Sequence, residues 1–372
     1  KLTMNIKSKI AFTKGHGELD SLQVADISKE MSDYYTVKQI KLEGKLSNIK
    51  NIQKYKVIII AKPDSVFSEQ NKFIIDQYIM NGGKVLWFID GAFASMDSLT
   101  TSPVTYGITL PLNLEDQFFK YGVRINNNLI MDIRSGAVPV PVNNKYTLRP
   151  WFYFPLIAQS NNHPIVNNIN LVKCEFASTI DTITNGIKKT SLLSTSRYTS
   201  VLNVPARIDM RTIFQEPDEK QFHNSYKTVA ILLEGEFESL YKNRMPPEID
   251  SIPEIKFKEK SQPTKMIIVS DGDVIKNFVQ HSTGRAYPLG FDIYTGQTYG
   301  NKNFILNAIN YLCDDSGLLQ VRSREIKLRM LDKQKTEKEK TKCQMMNTAL
   351  PVLLVIIFGI AQTFIRRKKY AK

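Results

Sequence analysis

The chain has 372 residues, enough for two or three packed units, with 42% hydrophobic residues and a formal charge of +14. Ten of those 14 excess charges flank one apolar stretch: Gln320–Gln344 holds nine Lys/Arg against four Asp/Glu, and Arg366, Arg367, Lys368, Lys369 and Lys372 follow it. Basic flanks of this kind suit anionic lipid headgroups and exclude nucleic acid as the reason for the charge. Cys174, Cys313 and Cys343 are too few and too far apart for a disulfide framework or a metal site.

In chain order, Lys9–Phe12 reads as a short strand closed by the turn Gly15-His16-Gly17. A helix follows, with Val24, Ile27, Met31 and Tyr34 at helical spacing, and then an alternating strand from Val37 to Leu42. Val57-Ile58-Ile59-Ile60-Ala61 is a continuous apolar run, as in a parallel strand buried on both faces. Pro63 and Asp64 break it. Ser68 is placed to cap a helix that buries Phe73, Ile74 and Tyr78 and stops at Gly82-Gly83. Val85–Ile89 is the next buried strand, ending in Asp90. This alternation predicts a parallel sheet covered by helices.

The middle of the chain is less regular. Leu114–Tyr121 reads as a short helix, and prolines at 139, 141, 150 and 155 surround Trp151, Phe152, Tyr153 and Phe154. Such an aromatic cluster is either an exposed docking patch or a core plug beneath long loops. Lys188–Ser194 and Val229–Leu233 read as strands, and Arg244–Pro263 as a surface loop or linker. Met266–Val269 is a buried strand followed by Ser270-Asp271-Gly272-Asp273. Asn303–Leu312 is an amphipathic helix with Phe304, Ile305, Ala308, Ile309 and Leu312 on one stripe.

Arg322–Thr341 is strongly charged and reads as a helical stalk. From Met345 to Ile365 the chain has no charged residue. A helix of roughly 20 such residues crosses a hydrocarbon core. Pro351 is expected in the first turns of that helix, where a missing N–H costs little. The expected organisation is an α/β section over 1–125, a second mixed α/β section over 126–318, a stalk over 319–344, a transmembrane helix over 345–365 and a basic tail over 366–372. The denser distal basic cluster favours a cytoplasmic C-terminus. With no signal peptide ahead of Lys1, an external domain requires a longer precursor; the alternative is a tail-anchored cytosolic protein.

Chemical motifs are sparse. Gly15-His16-Gly17-Glu18-Leu19-Asp20 begins like a dinucleotide fingerprint but has Asp20 where the third glycine belongs. The sequence has no Walker-type phosphate loop, no H-E-x-x-H and no G-x-S-x-G. His16, His163, His223 and His281 are scattered, so neither a metal nor another cofactor is expected. The candidate site residues are His16 and the strand-end carboxylates Asp64, Asp90, Asp271 and Asp273, since ligands of open α/β sheets bind outside the carboxyl ends of the strands. The alternative for Asp271-Gly272-Asp273 is an ordinary turn, where Asp is a natural capping residue. No Ser or Cys stands at the exit of Val85–Ile89, where a nucleophile would be wanted.

Several segments in order resemble the gliding motility-associated ABC transporter auxiliary proteins (GldG) of Bacteroidota. They include IAFTKGHGELD, VIIIAKPDSVFSEQNKFIIDQYIMNGGKVLWFID, RPWFYFPLIAQSNNHPIVNNINLVKCEFASTIDTI, VAILLEGEFES, IIVSDGDVIKN and PLGFDIYTGQTYGNKNFILNAINYLCDDSGLLQVRSREIKLRMLDK. The resemblance covers nearly the whole chain. It implies a first domain like class I glutamine-amidotransferase-like or flavodoxin-like folds without a catalytic cysteine. It also implies an extracytoplasmic domain on the inner membrane, partnered by a separate permease and ATPase. The function expected is a non-enzymatic, membrane-anchored subunit that contacts an envelope glycan or protein. The alternatives are an unrecognised hydrolase using His16, Asp64, Asp90 and Asp271, or a cytosolic scaffold.

Overall fold

A computed structural model describes residues 7–44, 48–142, 145–244, 257–280, 282–314 and 333–370. Most of the 244–263 linker, the whole first half of the stalk and His281 therefore lie outside the described residues. The chain divides into two compact units, Lys1–Ser323 and Arg324–Lys372.

The first unit begins as strands alternating with helices: β1 (Lys9–Lys14), α1 (Ala25–Ser32), β2 (Thr36–Lys41), α2 (Asn48–Ile52), β3 (Val57–Ala61), α3 (Glu69–Met80) and β4 (Lys84–Phe88). Short elements follow: β5 (Ala92–Phe93), α4 (Met96–Thr101), β6 (Val104–Thr109), α5 (Glu115–Tyr121), β7 (Val123–Ile125) and β8 (Asn128–Asp132). The middle of the chain is built from β9 (Ser135–Val142), β10 (Lys145–Gln159), β11 (Val172–Lys173), β12 (Ile180–Thr182), β13 (Lys188–Ser194), β14 (Thr199–Asn203) and β15 (Ala206–Asp209). The unit closes with β16 (Thr228–Gly235), β17 (Thr264–Val269), β18 (Val279–Gln280), β19 (Arg285–Ala286) and α6 (Asn301–Cys313).

One large sheet organises these elements, in the order β11-β10-β13-β16-β17-β4-β3-β1-β2, with β9 paired to β10. The strands β2, β1, β3, β4 and β17 are parallel, with registers such as Ile10↔Val57, Ile59↔Leu86 and Ile267↔Leu86. Beyond β17 the sheet turns antiparallel through β16, β13, β10 and β11. The sheet is therefore mixed rather than wholly parallel. Strand periodicity reports which faces are buried, and it carries no information on direction. Both soluble sections expected from the sequence contribute strands to this sheet.

Central strands are apolar on both faces because helices cover both. Every residue of β3 is buried. On one face Ile10, Phe12, Ile59, Phe88 and Val269 meet α1 and α6 through Ile27, Met31, Phe304 and Ile309. On the other, Ala11, Ile58, Ile60, Trp87 and Ile268 meet α2, α3 and α5 through Ile52, Phe73, Ile74 and Phe118. The alternation along each strand follows from the pleat, and each large side chain so buried contributes roughly 1.5–3 kcal/mol. At the edge, β2 exposes Lys38, Gln39 and Lys41, and lysines there discourage pairing with another chain.

Helix α3 begins where expected: Ser68 Oγ accepts from the Asn71 N–H at 3.3 Å. It is buried nearly all round, including the polar residues Asn71, Lys72, Asp76 and Gln77. Lys72 is paired with Asp116 at 2.7 Å and Glu69 at 3.1 Å. Asp76 accepts from Tyr121 Oη (2.9 Å), Ser239 Oγ (2.6 Å), the Leu240 N–H (3.0 Å) and Gln77 Nε2 (3.1 Å). These bonds lock α5 and the segment after β16 onto α3.

The aromatic cluster is a core plug. Trp151, Tyr153 and Phe154 are buried with Phe176, and the Trp151 ring lies 5.2–5.7 Å from Phe154 and Phe176. Phe152 packs on Phe222.

The described part of the second unit is one helix, α7 (Lys333–Tyr370). Its portion Gln344–Lys369 is long and apolar enough to cross a membrane, and none of it is buried. The expectation for Pro351 is corrected here. The helix starts at Lys333, so the proline lies in its interior rather than its first turns. It removes one N–H from the ladder, a change apolar helices accommodate more readily than soluble ones.

Candidate functional site at the carboxyl edge of the sheet

The parallel strands β1, β3, β4 and β17 deliver four loops to one edge, and these carry all five residues singled out from sequence. The structure sorts them into two groups.

The first group surrounds Lys62, the residue directly after β3. Its ammonium pairs with Asp273 and lies 3.5 Å from Asp90 Oδ2. Asp90 Oδ1 accepts from the Gly272 N–H at 2.6 Å. Asp271 is fully buried and accepts from the Glu175 N–H and the Asp273 N–H, both at 2.7 Å. Lys276 lies 3.5 Å from Asp273 Oδ1. The Asp271–Asp273 bond caps a short 3-10 turn, Gly272–Ile275. Lys62 itself has φ +53°, and a Cβ on Gly272 would lie 2.4 Å from its Cγ, so only glycine allows this approach.

Protonation in this group is uneven. Burial lowers the Lys62 pKa, but the charges of Asp273 and Asp90 outweigh it and hold the ammonium above the ordinary lysine range. Burial pushes Asp90 up against the pull of Lys62. Burial drives Asp271 well up, helped by the charges of Asp273 and Asp90. Asp273 is also buried, yet Lys62 and Lys276 bring it below the usual carboxylate value. The buried Cys174 thiol is pushed well up by desolvation and by the Asp271 charge, which disfavours a thiolate.

The second group holds His16 and Asp64. The His16 imidazole is buried, stacked on Phe67 at 3.7 Å between centroids and 9° between planes, with Nε2 2.9 Å from Asn71 Nδ2. Glu18 accepts from the His16 N–H at 2.7 Å and from Thr13 Oγ1 at 2.9 Å. Burial raises the Glu18 pKa, but the bonds from His16 more than reverse it. The Asp64 and Ser65 N–H groups both donate to the His16 carbonyl, at 2.9 and 3.1 Å. Gly17 has φ +73°, and a Cβ there would meet Asp64 Oδ1 at 1.6 Å. Gly17 thus admits the β3 loop, and Gly15, at φ +126°, admits the Leu42 carbonyl, so the turn's glycines are explained without a phosphate.

Asp90 and Asp273 therefore meet on one lysine, with Asp271 joined to them through the Asp273 N–H, while His16 and Asp64 meet each other through backbone. Among the described residues no group of three or more His, Cys, Asp or Glu is arranged to hold a metal ion. Sequence reasoning missed Lys62, Lys276, Glu18 and Asn71. The one available signal for Lys62 was its position as the first charged residue after a fully apolar strand.

At the other edge of the sheet, near the end of β16, an open cleft is lined in part by Phe119, Asn185, Ile187 and Glu238. Its rim carries the pairs Lys120–Glu238 (2.8 Å) and Lys260–Glu236 (2.5 Å).

The chain belongs to the family described as an ABC-type uncharacterized transport system, whose profile matches residues 7–308. It is similar to an uncharacterized protein from Borreliella burgdorferi, with 22% identity over 382 aligned positions covering 99% of this chain and 67% of that one. Among solved structures it is similar to the N-terminal domain of mmIFT52, at 14% identity and a TM-score of 0.48, covering 83% of this chain and 99% of that one. A ThuA-like protein from Bacteroides uniformis aligns at 12% identity and a TM-score of 0.38, covering 82% and 91%. These two likenesses carry no functional argument.

Proposed function

We propose that the chain is a non-enzymatic subunit of an ABC transporter, anchored by Gln344–Lys369 in the inner membrane with its α/β unit periplasmic and its C-terminus cytoplasmic. Its partners are a permease and a separate ATPase subunit, and its α/β unit contacts an envelope glycan or protein. The observation that carries the reading is the family match over residues 7–308. The membrane-length helix supports the anchor, and the basic residues from Arg366 to Lys369 support the orientation.

The finer reading is an auxiliary protein of the GldG type, serving gliding motility or protein secretion in Bacteroidota. The order β2-β1-β3-β4-β17 supports its flavodoxin-like component, because it runs 2-1-3-4-5 as in doubly wound sheets of that kind. The non-enzymatic reading is supported by the self-neutralised state of the carboxyl edge. Lys62 occupies the carboxylates a hydrolase would need free, and His16 is buried against Phe67.

A tag on this chain, followed by mild detergent extraction from membranes, should recover a permease and an ATPase. Recovery of the chain alone would count against the assembly. Protease added to intact spheroplasts should digest the α/β unit; protection until lysis would overturn the orientation.

A further inference from the structure

The register of β9 and β10 sorts a two-stranded ribbon into two faces. Tyr146, Leu148 and Pro150 stand opposite Pro141, Pro139 and Ala137. Opposed residues of an antiparallel pair share a face, so this face is wholly apolar. Among the described residues its outer part is uncovered: Tyr146 is 80% exposed and Leu148 43%, while Ala137 and Pro139 are half-buried. On the reverse face Val138 and Val140 are buried with Trp151 and fix the ribbon to the body, while Lys145 and Arg149 remain exposed. Among the described residues neither cation has a carboxylate partner.

The ribbon's chemistry selects its occupant. Pro139 and Pro141 remove two N–H donors from β9, the strand on the ribbon's free side, which resists the addition of a partner strand. An apolar face bearing an exposed tyrosine, with two unpaired cations behind it, matches the headgroup boundary of an anionic bilayer. The chain carries its own route to that surface. Gln344, where the membrane-length segment begins, lies 30 residues after Asp314. Residues 333–344 of that stretch belong to helix α7, so it reaches at most about 80 Å, and tethering makes the second contact intramolecular.

We propose that the β9–β10 ribbon docks through its Tyr146–Leu148 face onto the anionic headgroup surface of the bilayer that holds Gln344–Lys369. The proposal rests on the anchoring read above. It adds a second, reversible membrane contact, made by the α/β unit itself.

The test uses the full chain with Tyr146→Trp, reconstituted in nanodiscs containing brominated lipids. Trp87 and Trp151 are fully buried and give the background. Fluorescence of the new indole should be quenched in discs containing brominated phosphatidylglycerol and not in discs of brominated phosphatidylcholine alone. Lys145→Gln and Arg149→Gln should each lower the ratio of docked to undocked ribbon about fivefold, and Leu148→Asp should abolish quenching. Quenching no greater than background in a chain that stays with the disc through an alkaline wash overturns the ribbon contact and leaves the anchor standing. Equal quenching in both lipids overturns its anionic selectivity. Loss of the chain from the disc in that wash overturns the anchor, and this proposal with it.

Discussion

Two polar networks sit on the same sheet and are neutralised in different ways. Around Asp76 a single buried carboxyl receives only neutral donors, from Tyr121, Ser239, Leu240 and Gln77. Around Lys62 charge meets charge, with carboxylates from the β4 and β17 loops converging on one ammonium. Burial pushes the Asp76 pKa up, because neutral donors only partly offset desolvation. At the carboxyl edge the same cost is divided unequally, so that Asp273 is depressed and Asp271 raised. A network of neutral donors fixes geometry, whereas a network of charges also couples the protonation states of its members.

The largest expected effect breaks the first network. Asp76→Ala unpairs a tyrosine, a serine and a backbone N–H together and should cost about 3–4 kcal/mol in urea denaturation. A loss below about 1 kcal/mol would mean that these donors find other partners. Next is Lys62→Met, which leaves Asp90 without a cation and Asp273 with only Lys276 at 3.5 Å, and should cost about 3 kcal/mol. In a double-mutant cycle, adding Asp273→Asn should recover a substantial part of that loss, and simple additivity would show the pair is not coupled.

A smaller effect sharpens the comparison through pH. The Asp271 pKa is raised in the folded state, so the fold binds more protons than the unfolded chain between the ordinary carboxylate range and that raised value. Wild type should therefore gain stability relative to Asp271→Asn as pH is lowered towards the ordinary carboxylate range. Asp273 has the opposite sign: its contribution is present above the ordinary carboxylate range and is lost as pH falls through its depressed value. A pH-independent difference between wild type and Asp271→Asn would contradict the coupling. The smallest effect is a surface control. Hydrogen bonds and charge from Arg211 hold Asp209 down at about 2. Arg211→Ala should return it towards the usual range in a carboxyl NMR titration, with no measurable change in unfolding midpoint at neutral pH.

Much of the scaffold was legible because it is written locally. The apolar runs of β3, β4 and β17, the Ser68 cap and the apolar stripe of α6 each depend on residues within a few positions of one another. The candidate site was legible only as a set of strand-end residues. Its division was not, because the Lys62–Asp273 pair joins residues 211 apart in sequence. Nor could spacing choose between patch and plug for Trp151, since that depends on Phe176 and the β9 valines arriving from elsewhere.

Local sequence patterns sufficed for the alternation of strand and helix, the burial of the central strands and the membrane-length apolar helix. Each of these follows from side-chain periodicity and length. Tertiary structure alone settled that the sheet turns antiparallel beyond β17, that Lys62 pairs with Asp90 and Asp273 while His16 and Asp64 pack apart, and that among the described residues Tyr146 and Leu148 of the β9–β10 ribbon stay exposed. Those outcomes depend on strand direction and register between distant segments, which no local pattern encodes.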